Sequence, residues 1–234
     1  MKILGIDTST SCGSVGLIDD DRVISEYLLN SPVTHSERLL TAVEFILKES
    51  HCTLQDLDGW AISLGPGSFT GLRIGLSIAK GLSFASGKPV AGVPTLDVLA
   101  AQIAPTPFLI CPILDARKNE VYTAFYRYED GNAPRLMTAY QASKPQDLVK
   151  RVKEKTIFAG DGVRTYGDYL RDALSSLAIV LPAPFNSPHG STVARLGLDR
   201  LRRKEVPNLA ALTPIYVRPS EAELKWQEKN PHNK

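Results

Sequence analysis

Four histidines, three cysteines and two strand-end aspartates are the residues of this chain whose types could do chemistry. Two imidazoles can share a metal when they lie one helical turn apart. His35, His51, His189 and His232 are scattered with no such spacing. Cys12, Cys52 and Cys111 are odd in number and form no C-x-x-C pair, so free thiols in a reducing compartment are expected, with neither a zinc site nor a disulfide framework. Asp7 closes the apolar run Ile3–Ile6, and Asp115 closes Phe108–Leu114. A turn that cradles phosphate at a strand end needs glycine, so that backbone N–H groups can come close. The turns Asp7-Thr8-Ser9-Thr10-Ser11 and Asp115-Ala116-Arg117-Lys118-Asn119 contain none. Their carboxylates are therefore expected to bond nearby N–H groups. Gly65-Pro66-Gly67 at a helix start could hold an anion, but it lacks the Lys-Ser/Thr pair of a P-loop. Ser9, Ser68 and Cys12 lie near turns without a G-x-S-x-G elbow or an acid–base partner, which makes the hydroxyls caps rather than nucleophiles. No catalytic residue, cofactor-binding residue or metal ligand is expected.

What remains is the block Leu64-Gly65-Pro66-Gly67-Ser68-Phe69-Thr70-Gly71-Leu72-Arg73-Ile74-Gly75, a tight turn running into a helix. Gly71, Gly75 and Ala79 are spaced by four and share one face. A glycine inside a helix costs roughly 1 kcal/mol against alanine, so this row asks for the close approach of another backbone. A docking partner helix is the expected occupant.

The elements that must position these residues repeat one plan. Strands are predicted at Ile3–Ile6, Ser14–Ile18 and Arg22–Tyr27, with a turn at Asp19-Asp20-Asp21. A helix over 35–49 follows, with Thr34 and Glu37 as a capping box and Leu39, Leu40, Val43, Ile46 and Leu47 at helical spacing. Then come strand Trp60–Ser63, the glycine helix over 68–85, strand Pro89–Val93 and a short helix capped by Thr95. Ala104-Pro105-Thr106-Pro107 is the best linker. Beyond it lie strands Phe108–Leu114, Val121–Tyr128 and Leu136–Tyr140, with a turn at Asp130-Gly131-Asn132. A helix after Pro145, strand Ile157–Ala159, a helix around Tyr166–Leu174, strand Ala178–Leu181 and a helix from a Ser191 cap to Lys204 complete it. The fold class is thus α/β, two βββαβαβα halves (residues 1–104 and 105–234) of the duplicated actin-like, sugar-kinase-like type, with a polar tail from Pro219.

At 234 residues the chain can bury an ordinary core without staples. With 27 basic against 25 acidic side chains, net charge alone makes no case for nucleic-acid binding. Arg200, Arg202, Arg203 and Lys204 read as a solvated helix end, where cations suit the helix dipole, and Arg117 and Lys118 as a second basic spot. No apolar run approaches 18 residues and the N-terminal run stops at Asp7, so a cytoplasmic protein is expected.

Ile3-Leu4-Gly5-Ile6-Asp7-Thr8-Ser9, His35-Ser36-Glu37-Arg38-Leu39-Leu40, the glycine block, Asp115-Ala116-Arg117-Lys118-Asn119-Glu120-Val121-Tyr122 and Pro214-Ile215-Tyr216-Val217-Arg218 occur in that order. Together, with Trp226 beyond the last block, they resemble the bacterial TsaB family, also called YeaZ. The resemblance implies a subunit needed to place threonylcarbamoyl on N6 of adenosine 37, in tRNAs that read codons starting with A. It implies pairing with the TsaD transferase through the first two helices, with TsaE, a small ATPase, joining the pair. A TsaC-type enzyme would supply the donor, and tRNA contact would be indirect. Homodimers through the same surface are implied for the isolated chain. TsaD relatives carry H-x-x-x-H after the strand that follows the glycine helix. Thr95 and Leu99 stand at those places, and neither replaces an imidazole.

The expectation is a non-catalytic subunit whose partner-binding residues are Leu39, Leu40, Val43, Phe45, Gly71, Leu72, Gly75, Leu76 and Ala79. Ala42 and Phe45 widen the apolar face of the first helix beyond one core stripe. The alternatives are a metal-dependent hydrolase and an ATP-dependent kinase of the same fold.

Overall fold

The computed structural model describes residues 1–30, 35–129, 133–206 and 208–218. Thr34 of the expected capping box, the turn at 130–132, His232, Trp226 and the tail from Pro219 lie outside the described residues, as does the side chain of His35.

The first half runs β1 (Lys2–Asp7), β2 (Cys12–Asp19), β3 (Arg22–Asn30), α1 (His35–Glu49), β4 (Gly59–Gly65), α2 (Phe69–Ser86), β5 (Val90–Pro94) and α3 (Thr95–Ala101). Its sheet has the order β3-β2-β1-β4-β5. The first three strands form antiparallel hairpins, and β1, β4 and β5 are parallel. Alternation sends successive side chains to opposite faces. Leu4, Ile6, Trp60 and Ile62 pack under α1 and α2, while Ile3, Ile18, Ala61 and Val93 face the other way. Thr95 is the first helical residue of α3 rather than its cap, because Pro94 occupies the cap position.

The second half contains β6 (Leu109–Asp115), β7 (Val121–Thr123), β8 (Tyr126–Tyr128), β9 (Pro134–Leu136), β10 (Gln141–Ser143), α4 (Pro145–Arg151), β11 (Thr156–Ala159), α5 (Val163–Leu174), β12 (Ala178–Val180) and α6 (Gly190–Arg202). The order β10-β7-β6-β11-β12 repeats the first sheet. The single strand expected over 121–128 is broken. β7 pairs with the end of β6, whereas β8 meets β6 only at Ile110. Between them Phe125 bonds to the loop instead: its N–H donates to Thr138 Oγ1 at 3.0 Å, and its carbonyl accepts from Met137 N–H at 2.8 Å. That loop replaces most of the strand expected at Leu136–Tyr140, and β10 takes the place that β3 has in the first sheet.

A division at residue 104 separates the two sheets but not the helices. Beyond Pro188 the chain returns, and α6 lies across the first sheet through Val193, Ala194 and Leu198. The approach is backbone to backbone. A methyl group on Gly5 or Gly16 would overlap the start of α6. Ser191 is not the cap of α6; its N–H donates to Glu26 Oε1 at 2.9 Å, tying the helix start to β3.

Candidate functional site

Two places could carry function: the cleft between the halves and the outer side of α1 and α2. At the cleft, β1 ends in Asp7, which is fully buried. Its Oδ1 accepts from Ser9 N–H at 3.0 Å, and both its oxygens lie 3.0 Å from Ser9 Oγ. Burial pushes its carboxyl up to about 6, partly offset by those hydrogen bonds. Across the cleft, Asp115 Oδ1 accepts from Arg117 N–H at 2.8 Å, and its other oxygen lies 3.6 Å from the Arg117 guanidinium. Asp115 N–H in turn donates to Asp161 Oδ1 at 2.9 Å, and burial raises the Asp161 carboxyl. Arg117, Lys118 and Asn119 all have positive φ, so the second turn coils on itself. Between the turns is a cleft of about 290 Å³ whose walls include Ser9, Ser68, Phe69, Arg117, Tyr122 and Arg218. Arg218 bonds Glu120 at 2.9 Å. Carboxylates and cations at the cleft are thus bound to their own chain.

The glycine block closes the cleft floor. Gly65 has φ +107°, and Ser68 caps α2 by accepting from Gly71 N–H at 3.2 Å. Ser68 N–H donates to Ser9 O at 2.7 Å, and Thr8 Oγ1 donates to Gly71 O at 2.8 Å. A methyl group on Gly67, Gly71 or Gly75 would overlap Ser9 or Thr8. The backbone that packs against the glycine row is this chain's own β1–β2 turn.

Metal ligation finds no constellation. Among the described residues, no three His, Cys, Asp or Glu side chains converge on one point. His189 Nδ1 lies 2.9 Å from Glu26 Oε2, which raises the imidazole pKa. Thr95 and Leu99, at the places of the relatives' histidines, are fully buried. The basic helix end is committed to local partners: Arg200 to Gly92 O, Arg202 to Asp20 and Arg203 to Glu205. No described helix is long and apolar enough to cross a membrane.

The family model for TsaD, tRNA N6-adenosine threonylcarbamoyltransferase, matches residues 30–226. The Bacillus subtilis tRNA threonylcarbamoyladenosine biosynthesis protein TsaB is 35% identical, over 97% of this chain and 99% of its own length. The chain belongs to the TsaB family. A solved Pseudomonas aeruginosa protein, described as similar to the peptidase YeaZ, superposes with a TM-score of 0.78 at 29% identity, covering 93% of this chain and 99% of its own. The Clostridium difficile activator of 2-hydroxyisocaproyl-CoA dehydratase, at 12% identity and a TM-score of 0.55, shares the fold alone. With the repeated strand order, these likenesses make the fold the duplicated actin-like type.

In this TsaB-family chain, the nine residues expected to bind a partner divide between two sides. Leu39, Gly71, Leu72, Gly75, Leu76 and Ala79 are buried within the chain, against its own first core and β1–β2 turn. Leu40 and Phe45 remain 53% and 50% exposed. Val43 is buried, yet with Leu40 and Leu47 it lines a groove of about 440 Å³ closed on its far side by Leu54 and Leu82. Sequence reasoning missed the outer face of α2, where Phe84 is 88% exposed and Ile74 is half-buried, while Ile78 beside it packs against the first core. It also missed Gly81, around which a methyl group would meet nothing within 4 Å. Ile74, Gly81 and Phe84 recur at seven- and three-residue spacing on the side of α2 away from the buried row, and that periodicity was the available signal.

Proposed function

We infer that this chain is a tRNA threonylcarbamoyladenosine biosynthesis protein acting as the accessory, non-catalytic subunit of a threonylcarbamoyl transferase. The modified position is N6 of adenosine 37 in tRNAs reading codons that start with A. The outer side of α1 and α2, with Leu40, Phe45, Ile74, Gly81 and Phe84, docks against a TsaD-like subunit and holds it in its active form. A TsaE-like ATPase joins the pair, and tRNA contacts lie mainly on the other subunits. Alone, the chain pairs with a second copy through the same face. The observation that carries this reading is the apolar surface exposed on one helix pair: Leu40 is 53% exposed at the edge of a groove between α1 and α2, and Phe84 on α2 is 88% exposed. Large apolar side chains gathered at one exposed place mark an interaction surface. The like family name of the Bacillus subtilis relative supports the pathway.

The test is reconstitution. The chain is combined with a TsaD-like transferase, a TsaE-like ATPase, the donor-forming enzyme and tRNA, and each component is omitted in turn. Threonylcarbamoyladenosine is expected only when this chain and the transferase are both present. Full yield without this chain, or product from this chain with donor and tRNA alone, overturns the reading.

A further inference from the structure

One charged side chain on α2 is held in place more firmly than its exposure requires. Arg73 follows Phe69 by one helical turn, and its guanidinium carbon lies 3.8 Å from the centre of the Phe69 ring. Its Nε–H donates to Tyr216 Oη at 2.9 Å. The Phe69 and Tyr216 rings lie 5.0 Å apart, 37% and 42% exposed. Tyr216 is itself fixed from both sides. Ile215 N–H donates to Leu64 O at 2.7 Å on the first half, and Arg218 bonds Glu120 at 2.9 Å on the second. The plane of the guanidinium is therefore set before any ligand arrives. Its Nε–H is bonded, while its two terminal amines make no hydrogen bond or ion pair among the described residues.

A planar fork with two unpaired amines matches a carboxylate bidentately, and charge-assisted pairs of that kind are roughly twice as strong as neutral ones. We propose that Arg73 is the charged anchor of the docking face and receives an Asp or Glu carboxylate of the partner subunit. The proposal rests on the docking reading above and adds the chemistry of one contact. Arg73 lies on the exposed face of α2 that continues through Ser77 and Gly81 to Phe84, so a partner covering Phe84 continues onto it. Arginine and aromatic side chains packed together are typical of residues that carry binding energy at interfaces. Stacking and the tyrosine bond remove part of the entropy of ordering a long side chain on association. A polynucleotide would instead follow a track of free cations. Here the neighbouring cations Arg117 and Arg218 are already paired with Asp115 and Glu120.

The test titrates the TsaD-like subunit with variants of this chain. Arg73→Ala is expected to weaken association at least tenfold and to reduce its salt dependence, with the isolated chain still folded and its thermal unfolding lowered only slightly by loss of the Phe69 and Tyr216 contacts. Arg73→Lys keeps the charge but not the fork, and most of the affinity is expected to be lost. Tyr216→Phe keeps the ring and removes the hydroxyl, for an expected loss of about threefold. Full affinity in either Arg73 variant overturns the proposal. So does a loss of tRNA retention by the assembled complex with subunit affinity unchanged, which would assign the fork to phosphate. Phe84→Asp separates the two readings. If it abolishes pairing while Arg73→Ala does not, docking stands and the anchor falls; if neither matters, the docking reading has failed.

Discussion

Helix α2 carries glycine on two sides, and the two sides are used oppositely. On the inner side Gly71 and Gly75 have no room for even a methyl group, because the β1–β2 turn fills the space to contact distance. On the outer side Gly81 has nothing within 4 Å, and Phe84 is almost wholly in solvent. The inner side is a solved packing problem: a turn with buried Asp7 and Thr8 is clamped onto a helix that made space for it. The outer side has the same ingredients, small residues flanked by apolar ones, and no occupant among the described residues. A bare glycine row therefore signals that a backbone comes close, but not whose.

The largest effect that would break this contrast is on the inner side. Gly75→Leu is expected to destabilise the isolated chain by about 3 kcal/mol, the upper end for overpacking, since the added side chain enters a filled space against Thr8 and Ile62. Denaturant unfolding of the isolated chain measures it; a folded, wild-type-stable Gly75→Leu would mean the turn can leave the helix at little cost. Next in size is the pH dependence of the same clamp. Burial lifts the Asp7 carboxyl from 3.8 to about 6. Between those values the native state binds more protons than the unfolded chain, so this group makes stability fall as pH rises from about 4 to about 6; above that it is ionised in both states and adds no further slope. The contribution is on the order of 2–3 kcal/mol. Comparing unfolding free energies of wild type and Asp7→Asn across pH 4–7 isolates it, and equal slopes would remove Asp7 as the cause.

The same contrast explains how much was legible in the sequence. Strand and helix positions in the first half came through because β1 and β4 are short apolar runs buried on both faces, β2 follows a hairpin pattern and α1 repeats its apolar residues about every 3.6. The second half was harder. β7 and β8 read as one alternating strand, but Phe125 bonds to a loop through Thr138 and Met137, and alternation carries no trace of that break. α6 was placed with its sequence neighbours although it packs on the other sheet. The pairing of Gly5 and Gly16 with Gly190 across more than 170 residues is a tertiary fact. At the site, Asp7 and Asp115 were read correctly as turn carboxylates, each bonding the N–H two residues on, because that interaction is local. Leu39, Leu72 and Leu76 stood among the partner candidates because the apolar residues of α1 and α2 look alike in sequence, which cannot divide those that face the chain's own core from those that face outward.

A smaller effect sharpens the outer side alone. Phe84→Asp removes an exposed ring that packs on nothing large, so the unfolding free energy of the isolated chain should shift by no more than about 0.5 kcal/mol. Association with the TsaD-like subunit should weaken by about 2 kcal/mol, roughly thirtyfold, as expected of an aromatic anchor. Calorimetric titration reads the second quantity and thermal unfolding the first. A loss of fold would show that Phe84 belongs to the monomer's own packing.

The smallest expected effect has opposite signs in the two measurements. Gly81 sits in the interior of α2 without positive φ and with open space around it. Gly81→Ala should therefore stabilise the isolated chain by about 0.5–1 kcal/mol, by restricting the unfolded backbone and favouring helix. The same change at Gly71 should destabilise it, since a methyl group there overlaps the Thr8 carbonyl. If a partner helix uses the gap at Gly81 for close approach, the alanine that helps the monomer should weaken association several-fold, because helix axes pack at separations of about 8–10 Å set by the side chains between them. Stability rising while affinity falls would place the closest contact at Gly81. Stability rising with affinity unchanged would move that contact towards Leu40 and Phe45 on α1, leaving Gly81 at the edge of the face.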